Sequence, residues 1–248
     1  MLTEERHTRI MEALSKQKSL EISELCSLLN VSESTVRRDL LILDEAGLLN
    51  KVRGGAMAIG ENFLAVEHNI AEKQTLYVEE KTAIARYAAS LIEDGDFIFL
   101  DAGTTTEKMI GFIPSKSVTF VTNAFISAKE LAARGFDVLI TAGEVKASTE
   151  AIVGTEAVIT LSHYNFTKCF MGTNGISIHG GFSTPDKSEA DVKETAMFRS
   201  REAFVLADSS KFGKVTANMF SDLAKAKIIT DKVTNKKYLA KADIKEVL

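Results

Sequence analysis

A chain of 248 residues is about twice the usual domain size, so one large or two smaller domains are expected, with a sizeable buried core. With 45% hydrophobic and 26% charged residues, few aromatics and no Trp, the composition excludes disorder and collagen-like repetition. The net charge of −4 argues against polyanion binding on average, yet Arg37, Arg38, Lys51 and Arg53 cluster within one short stretch, so a local positive patch is expected.

Leu2 to Lys16 carries Ile10, Met11 and Leu14 at the spacing of an amphipathic helix, with Glu4 and Glu5 in its first turn. Ile22, Leu25, Leu28 and Leu29 mark a short second helix that stops at Asn30. Ser32 suits the N-cap of a third, where its hydroxyl accepts from free backbone N–H groups. At about 100° per residue, Val36, Leu40 and Leu43 share one face of that helix, Ser34, Arg38 and Glu45 lie opposite, and Arg37 sits on the flank. Gly47 suits its C-terminal stop. Leu48–Val52 and Ala56–Ile59 read as two β-strands joined at Arg53-Gly54-Gly55, where paired glycines permit a tight hairpin.

Three helices followed by a basic hairpin predict a winged helix-turn-helix. Small helical bundles share the helix spacing, but the arginine pair on the free face favours DNA, because arginine binds guanine bidentately or phosphate and a basic wing follows the adjacent backbone or minor groove. The surface expected to meet DNA comprises Ser32, Ser34, Thr35, Arg37, Arg38, Lys51 and Arg53.

The expected organisation is a DNA-binding domain over residues 1–58, a linker over 59–70 and a second domain over 71–248. Lys73 to Glu93 predicts one helix with Ile84, Tyr87, Ala88 and Leu91 on one face. From Asp96 onward apolar runs at Phe97–Leu100, Val118–Val121, Val138–Thr141, Lys168–Met171, Ala203–Leu206 and Lys227–Ile229 alternate with helical patterns. That alternation predicts an α/β domain with a mostly parallel sheet covered on both faces.

Ligands in such sheets bind beyond the carboxyl ends of the strands, and five of these ends carry small, polar or ionisable residues. They read Asp101-Ala102-Gly103-Thr104-Thr105-Thr106, Thr122-Asn123-Ala124, Ala142-Gly143, Gly172-Thr173-Asn174-Gly175 and Asp208-Ser209-Ser210-Lys211. The first outlines a phosphate cradle: small residues admit backbone N–H groups to an anion, and hydroxyls donate. The loop Gly181 to Asp186 has two readings. Either it lids the site, with Asp186 or Lys193 touching the ligand, or Glu189 and Lys193 form an ordinary surface ion pair at i, i+4. His7, His68, His163 and His179 are scattered, and neither a P-loop nor a dinucleotide glycine motif occurs, so no metal, no cofactor and no catalytic residue is expected.

The run Thr35-Val36-Arg37-Arg38-Asp39-Leu40, preceded by Arg9 and Leu14, resembles the signature of the DeoR family of bacterial transcription regulators. The strand-end sequences above, with Val121-Thr122-Asn123, Thr184-Pro185-Asp186, Glu189 and Lys193, resemble that family's effector domain in order and spacing. The resemblance implies a repressor whose grip on DNA changes on binding a phosphorylated sugar, with an effector domain like ribose-5-phosphate isomerase. It implies an effector site from Asp101, Gly103, Thr104, Thr105, Thr106, Thr122, Asn123, Gly143, Asn174, Gly175, Asp186, Lys193, Asp208 and Lys211. Family members usually carry His before Gly-Gly-Ala where this chain has Arg53, which adds charge to the wing. The run Asn174 to Asp186 is similar to the Gram-positive fructose and lactose repressors, which points to fructose 1-phosphate or a related effector.

The rival reading is a sugar-phosphate isomerase carrying a DNA-binding module. Isomerisation needs a base beside the carbonyl, and the loop where the isomerase relatives carry acidic residues here reads Gly172-Thr173-Asn174-Gly175; asparagine cannot serve, although Asp101, Asp186 and Asp208 remain. One winged helix with four basic residues makes few phosphate contacts, so a homodimer or homotetramer on a repeated operator is expected. The longest apolar stretches fall far short of the roughly 20 residues of a membrane span, and the polar start Met-Leu-Thr-Glu-Glu-Arg-His is no secretory signal, so a cytoplasmic protein is expected.

Overall fold

The computed structural model describes residues 2–17, 19–45, 48–52, 54–58, 62–63, 69–114, 117–233 and 235–248. Gly47, Arg53 and most of the expected linker, 59–61 and 64–68, lie outside the described residues. The chain divides into two compact units, 1–62 and 63–248.

The first unit runs α1 (Thr3–Lys16), β1 (Ser19–Glu21), α2 (Ile22–Leu29), α3 (Glu33–Glu45), β2 (Leu49–Val52) and β3 (Gly55–Ala58). Ile10, Leu14, Leu25, Leu29, Val36, Leu40 and Leu43 form its core, so the apolar stripes of all three helices converge. A capping box opens α2, in which the Glu21 amide donates to Glu24 Oε2 at 2.7 Å, and Asn30 ends it in the left-handed region at φ 52°. The expected hairpin gains a third strand, in the order β1-β3-β2. Sequence reading missed β1 because a three-residue strand with one buried side chain, Leu20, carries no periodicity. Gly55 makes room for it: a Cβ there would lie 2.2 Å from the Leu20 carbonyl oxygen.

A two-residue strand, β4 (Asn62–Phe63), precedes the helices of the second unit. The single helix expected over 73–93 is two, α4 (Ile70–Thr75) and α5 (Val78–Ser90), because Tyr77 turns into the left-handed region at φ 53° between them. There follow β5 (Phe97–Leu100), α6 (Thr104–Ile110), β6 (Thr119–Thr122), α7 (Phe125–Ala133), β7 (Asp137–Ile140), β8 (Glu144–Lys146), β9 (Ala151–Val153), α8 (Thr155–Ser162) and β10 (Phe166–Gly172). Then come β11 (Gly175–Ser177), β12 (Gly181–Thr184), α9 (Lys187–Phe198), β13 (Ser200–Leu206), β14 (Lys214–Val215), β15 (Asn218–Ser221), β16 (Lys227–Thr230) and β17 (Asp243–Glu246).

Seven strands form a parallel sheet in the order β17-β16-β13-β10-β5-β6-β7, as the α/β pattern predicts. Successive side chains go to opposite faces. Phe99, Val121, Cys169, Met171 and Val205 join one buried cluster, while Ile98, Leu100, Phe120, Phe170 and Phe204 join another on the far side. The expected loop from Gly181 to Asp186 is not a mobile lid over its first four residues: Gly181–Thr184 is a fully buried strand in a second, antiparallel sheet, β11-β12-β15. A Cβ on Gly181 would stand 2.3 Å from the Ser221 carbonyl oxygen, so the glycines here serve strand packing. Among the described residues, no helix is long and apolar enough to cross a membrane.

Candidate functional site

The carboxyl ends of β5, β10 and β13 open into a pocket holding about 670 Å³ of empty space, mouth included. Its walls come from the Ala102–Thr105 turn, the Gly172–Asn174 turn, Asp208 and Lys211 after β13, Glu189 and Lys193 on α9, Thr149, and Lys73 and Lys81 from α4 and α5. Thr104 and Thr105 are buried, and among the described residues their hydroxyls have no protein partner.

Lys81 is buried and its ammonium donates to the Lys73 carbonyl. Burial above all, with the charges of Lys211, Lys108 and Lys73 added, pulls its pKa down to about 8 against the attraction of Asp208. Burial likewise lowers Lys211, whose ammonium makes no hydrogen bond or ion pair with the described residues. These ammonium groups are held together against their mutual repulsion, and an anion among them would relieve it.

The opposite wall is acidic and already paired. Lys193 Nζ contacts Asp101 Oδ2 and donates to the Gly172 carbonyl at 3.2 Å, and the Gly172 amide donates to Asp101 Oδ2 at 2.8 Å. Burial raises the Asp101 pKa against the pull of Lys193 and that amide. Glu189 accepts from Lys146 at 3.1 Å, Thr149 at 2.7 Å and Thr184 at 3.0 Å. Burial opposes its ionisation, but Lys193, Thr149 and Lys146 outweigh burial and hold its pKa below the ordinary value. The surface-pair reading of Glu189 and Lys193 therefore fails: both are buried, and Lys193 bonds to Asp101 instead.

Of the expected effector residues, Gly103, Thr104, Thr105, Asn174, Lys193, Asp208 and Lys211 line the pocket. The others do not. Asp101 lies beneath it holding Lys193, Thr106 Oγ1 donates to the Asp101 and Gly103 carbonyls, and Thr122 Oγ1 accepts from the Ala124 amide. Asn123 Oδ1 accepts the Ala102 amide at 2.9 Å and so fixes the cradle from below. Gly175 lies in β11, where a Cβ would meet the Lys214 carbonyl oxygen at 2.5 Å. Gly143, at φ +133°, packs 2.5 Å from the Val153 carbonyl oxygen by the same measure, and Asp186 N-caps α9 by accepting the Glu189 amide at 2.9 Å. Sequence reading missed Lys73, Lys81 and Thr149. Lys81 had a signal: it precedes Ile84, Ala85 and Ala88 at i+3, i+4 and i+7, and so interrupts an apolar stripe.

In the first unit, Ser34, Arg37 and Arg38 are exposed on α3, Lys51 is exposed on β2, and Ser32 is exposed before α3. Thr35 is half-buried, and Arg53 lies outside the described residues. Arg37 pairs with Glu33 at 2.8 Å, whereas Arg38 has no ion-pair partner among the described residues. The Ser32 hydroxyl meets Ser34 Oγ at 2.9 Å and Thr35 Oγ1 at 3.0 Å, while the Ser32 carbonyl takes the Thr35 and Val36 amides. Three hydroxyls thus satisfy one another where the sequence predicted a hydroxyl-to-amide cap. The residue that reading missed is Asp39, fully buried and holding Arg6 at 2.6 and 2.9 Å with His7 at 3.3 Å, which ties α1 to the back of α3.

Residues 6–62 match the DeoR-like helix-turn-helix domain and residues 77–232 match the DeoR C terminal sensor domain. The chain is 40% identical to the uncharacterized HTH-type transcriptional regulator FruR of Bacillus subtilis, over 100% of this chain and 99% of that protein. It is 38% identical to a lactose phosphotransferase system repressor of Staphylococcus epidermidis, over 92% of this chain and 91% of that one. Among solved structures, ribose 5-phosphate isomerase of Methanocaldococcus jannaschii gives a TM-score of 0.39 at 16% identity over 53% of each chain. A probable sor operon regulator of Shigella flexneri gives 0.40 at 12% identity, over 59% of this chain and 80% of that one. Both scores are too low to carry anything further about this chain. Two family matches that together cover most of its length, and relatives alike from end to end, place the chain in the DeoR family of transcriptional regulators.

Proposed function

We propose that this protein is a cytoplasmic repressor of a sugar-utilisation operon, binding its operator as a homodimer or homotetramer and answering to a phosphorylated sugar, with fructose 1-phosphate the first candidate. The observation that carries the reading is the polarity of the pocket in the second unit. Lys73, Lys81 and Lys211 and the unpartnered hydroxyls of Thr104 and Thr105 line it as donors, and Asn174, Glu189 and Asp208, the last close to Lys81 and Lys211, line it as acceptors. A phosphate suits the first group and sugar hydroxyls the second. The name of one relative, the lactose phosphotransferase system repressor, supports a sugar-derived effector. Ser32, Ser34, Thr35, Arg37, Arg38, Lys51 and Arg53 are the proposed DNA contacts.

The isomerase reading gains no support from the pocket. Glu189, held by two hydroxyls and an ammonium with its pKa lowered, is a poor base, and Asp101 is bound to Lys193 below the wall.

Ligand binding is tested by thermal shift with fructose 1-phosphate and other sugar phosphates, since a ligand of the native state raises apparent stability by mass action. Operator titrations with and without the stabilising sugar phosphate then compare wild type, Thr105→Glu and Thr105→Val. Thr105→Glu puts a carboxylate where the phosphate belongs, so operator binding persists and the response to sugar is lost. Thr105→Val separates loss of the site from mimicry of the bound anion. An unchanged response in Thr105→Glu would remove the phosphate from this turn.

A further inference from the structure

One wall of the pocket is lightly held. Of the six residues of α4, Ile70 and Lys73 are half-buried and the other four exposed, and the half-buried pair, at i and i+3 on one face, are the two that line the cavity. Hydrogen bonds tie the helix down along its length. The Ile70 amide donates to the Ser148 carbonyl at 3.2 Å, the Lys81 ammonium donates to the Lys73 carbonyl, and the Gln74 side chain hydrogen-bonds to Glu107 on α6. Two of these ties lead to groups that face a ligand: Lys81 lines the pocket, and Ser148 precedes Thr149, which lines it and donates to Glu189 at 2.7 Å.

The two ends of α4 differ. At its carboxyl end lies a solvent-facing turn, in which Leu76, Tyr77 and Val78 are each more than 40% exposed and Tyr77 holds φ 53°, a conformation that costs a side chain with a Cβ and recurs in switch segments. Beyond it α5 is fixed by the fully buried Ile84, Ala85, Ala88 and Ala89, so α4 can swing about Tyr77 while α5 stays in place. At its amino end Asn69 caps the helix by accepting the Glu72 amide at 2.9 Å, and the chain before Asn69 runs back to the DNA-binding unit. Lys73 rides on this helix against the charges of Lys81 and Lys211. That repulsion opposes docking of α4, and an anion placed among the three ammonium groups reverses its sign. An anionic ligand therefore binds the docked arrangement more tightly than the undocked one, which is the differential affinity that a conformational shift requires.

We infer that α4 is a strap which the phosphate of the ligand draws onto the pocket, pivoting at Tyr77, and that its seating passes the presence of the effector along the chain before Asn69 to the DNA-binding unit. The inference rests on the sugar-phosphate reading above and gives that site its output. Lys73 supplies the pull, and Ser148, Lys81 and Glu107 form the seat. Gln74 and Glu107 are not among the residues that line the pocket, so the seat can be altered without touching the ligand.

The test uses the full chain, with fructose 1-phosphate, the other sugar phosphates of the thermal-shift series and inorganic phosphate as probes. In wild type, a probe that raises Tm should slow hydrogen exchange over residues 69–76 by about fivefold or more and leave the α5 amides of residues 84–89 unchanged. Gln74→Glu sets a carboxylate against Glu107, which already has Glu130 and Glu150 near it, and should raise the probe concentration that half-shifts operator binding by about threefold to tenfold. Adding Glu107→Gln remakes the amide–carboxylate pair with its roles exchanged and should restore the wild-type value, which a general loss of structure would not allow. If no probe raises Tm, the sugar-phosphate reading falls and the strap with it. A raised Tm without added protection at 69–76 overturns the strap alone. So does a Gln74→Glu protein that answers the probe at the wild-type concentration, or one whose shift Glu107→Gln fails to reverse.

Discussion

Replacing Lys193 by Met isolates the buried pair behind the pocket. Lys193 is 5% exposed and Asp101 1%, so the substitution leaves a carboxylate out of reach of water with only the Gly172 amide, 2.8 Å from Oδ2, to hold it. Breaking a buried pair on one side costs about 3–5 kcal/mol. With a urea slope of about 2 kcal/mol per molar, the unfolding midpoint should drop by roughly 1.5–2.5 M. All four tyrosines, Tyr77, Tyr87, Tyr164 and Tyr238, lie in the second unit and there is no Trp, so tyrosine fluorescence follows this unit alone. The loss should depend on pH. Burial already raises the Asp101 pKa, and deleting Lys193 removes its largest opposing influence, so the carboxyl of the variant takes up a proton as pH falls and becomes a tolerable buried acid. Native Asp101 then binds more protons than unfolded Asp101, and the deficit of the variant narrows towards acid and widens towards neutrality. Adding Asp101→Asn to Lys193→Met should return much of the loss in a double-mutant cycle. A loss below about 1 kcal/mol, or one that does not change with pH, would show that the pair is not the buried ionic contact described.

Asp39→Ala should unfold the first unit more readily by about 3 kcal/mol, because Arg6 loses its buried partner; helical circular dichroism of the isolated transition reads this out. In wild type, burial opposes ionisation of Asp39 but Arg6 and then His7 hold its pKa below the usual value, so this contribution is present above the unfolded pKa and fades as pH falls through the lowered one. Arg38→Ala should weaken operator binding by about 1–3 kcal/mol at matched salt without loss of fold, measured by fluorescence anisotropy. Sugar-phosphate affinity should decline as pH rises through about 8, where Lys81 loses its proton, and Lys81→Met should flatten that profile; calorimetry in buffers of different ionisation enthalpy checks the accompanying proton uptake.

Periodicity made most of the architecture legible. The apolar stripe Val36, Leu40 and Leu43 was enough to orient α3, and short apolar runs between helical patterns were enough for a parallel sheet, because both signals come from burial of one face or two. The strand-end rule pointed to the end of the sheet where the pocket opens but named more residues than line it: Thr122, Asn123 and Thr106 have the chemistry of ligand contacts and spend it on backbone amides and carbonyls. Glu189 and Lys193 show the opposite failure, since i, i+4 spacing looks the same on a surface helix and on one whose charged side is buried against Asp101 and Thr184. Strand β17 was illegible because the charges that guard an edge make it read as a solvated tail. The break at Tyr77 lies in a backbone turn that no glycine or proline announces.

The strand order carries a consequence for synthesis. The central strand β10 lies between β5, made earlier, and β13, made later, so the floor of the pocket does not exist until Leu206 has emerged. The first unit is complete by Asn62. At translation rates of roughly 5–20 residues per second, the half that recognises a promoter is finished roughly 10–30 s before the half that listens for sugar. Each newborn molecule therefore passes through an interval in which its DNA-binding unit is complete and its sensor unit is not, and the speed of the ribosome, rather than the concentration of sugar, decides how long that interval lasts.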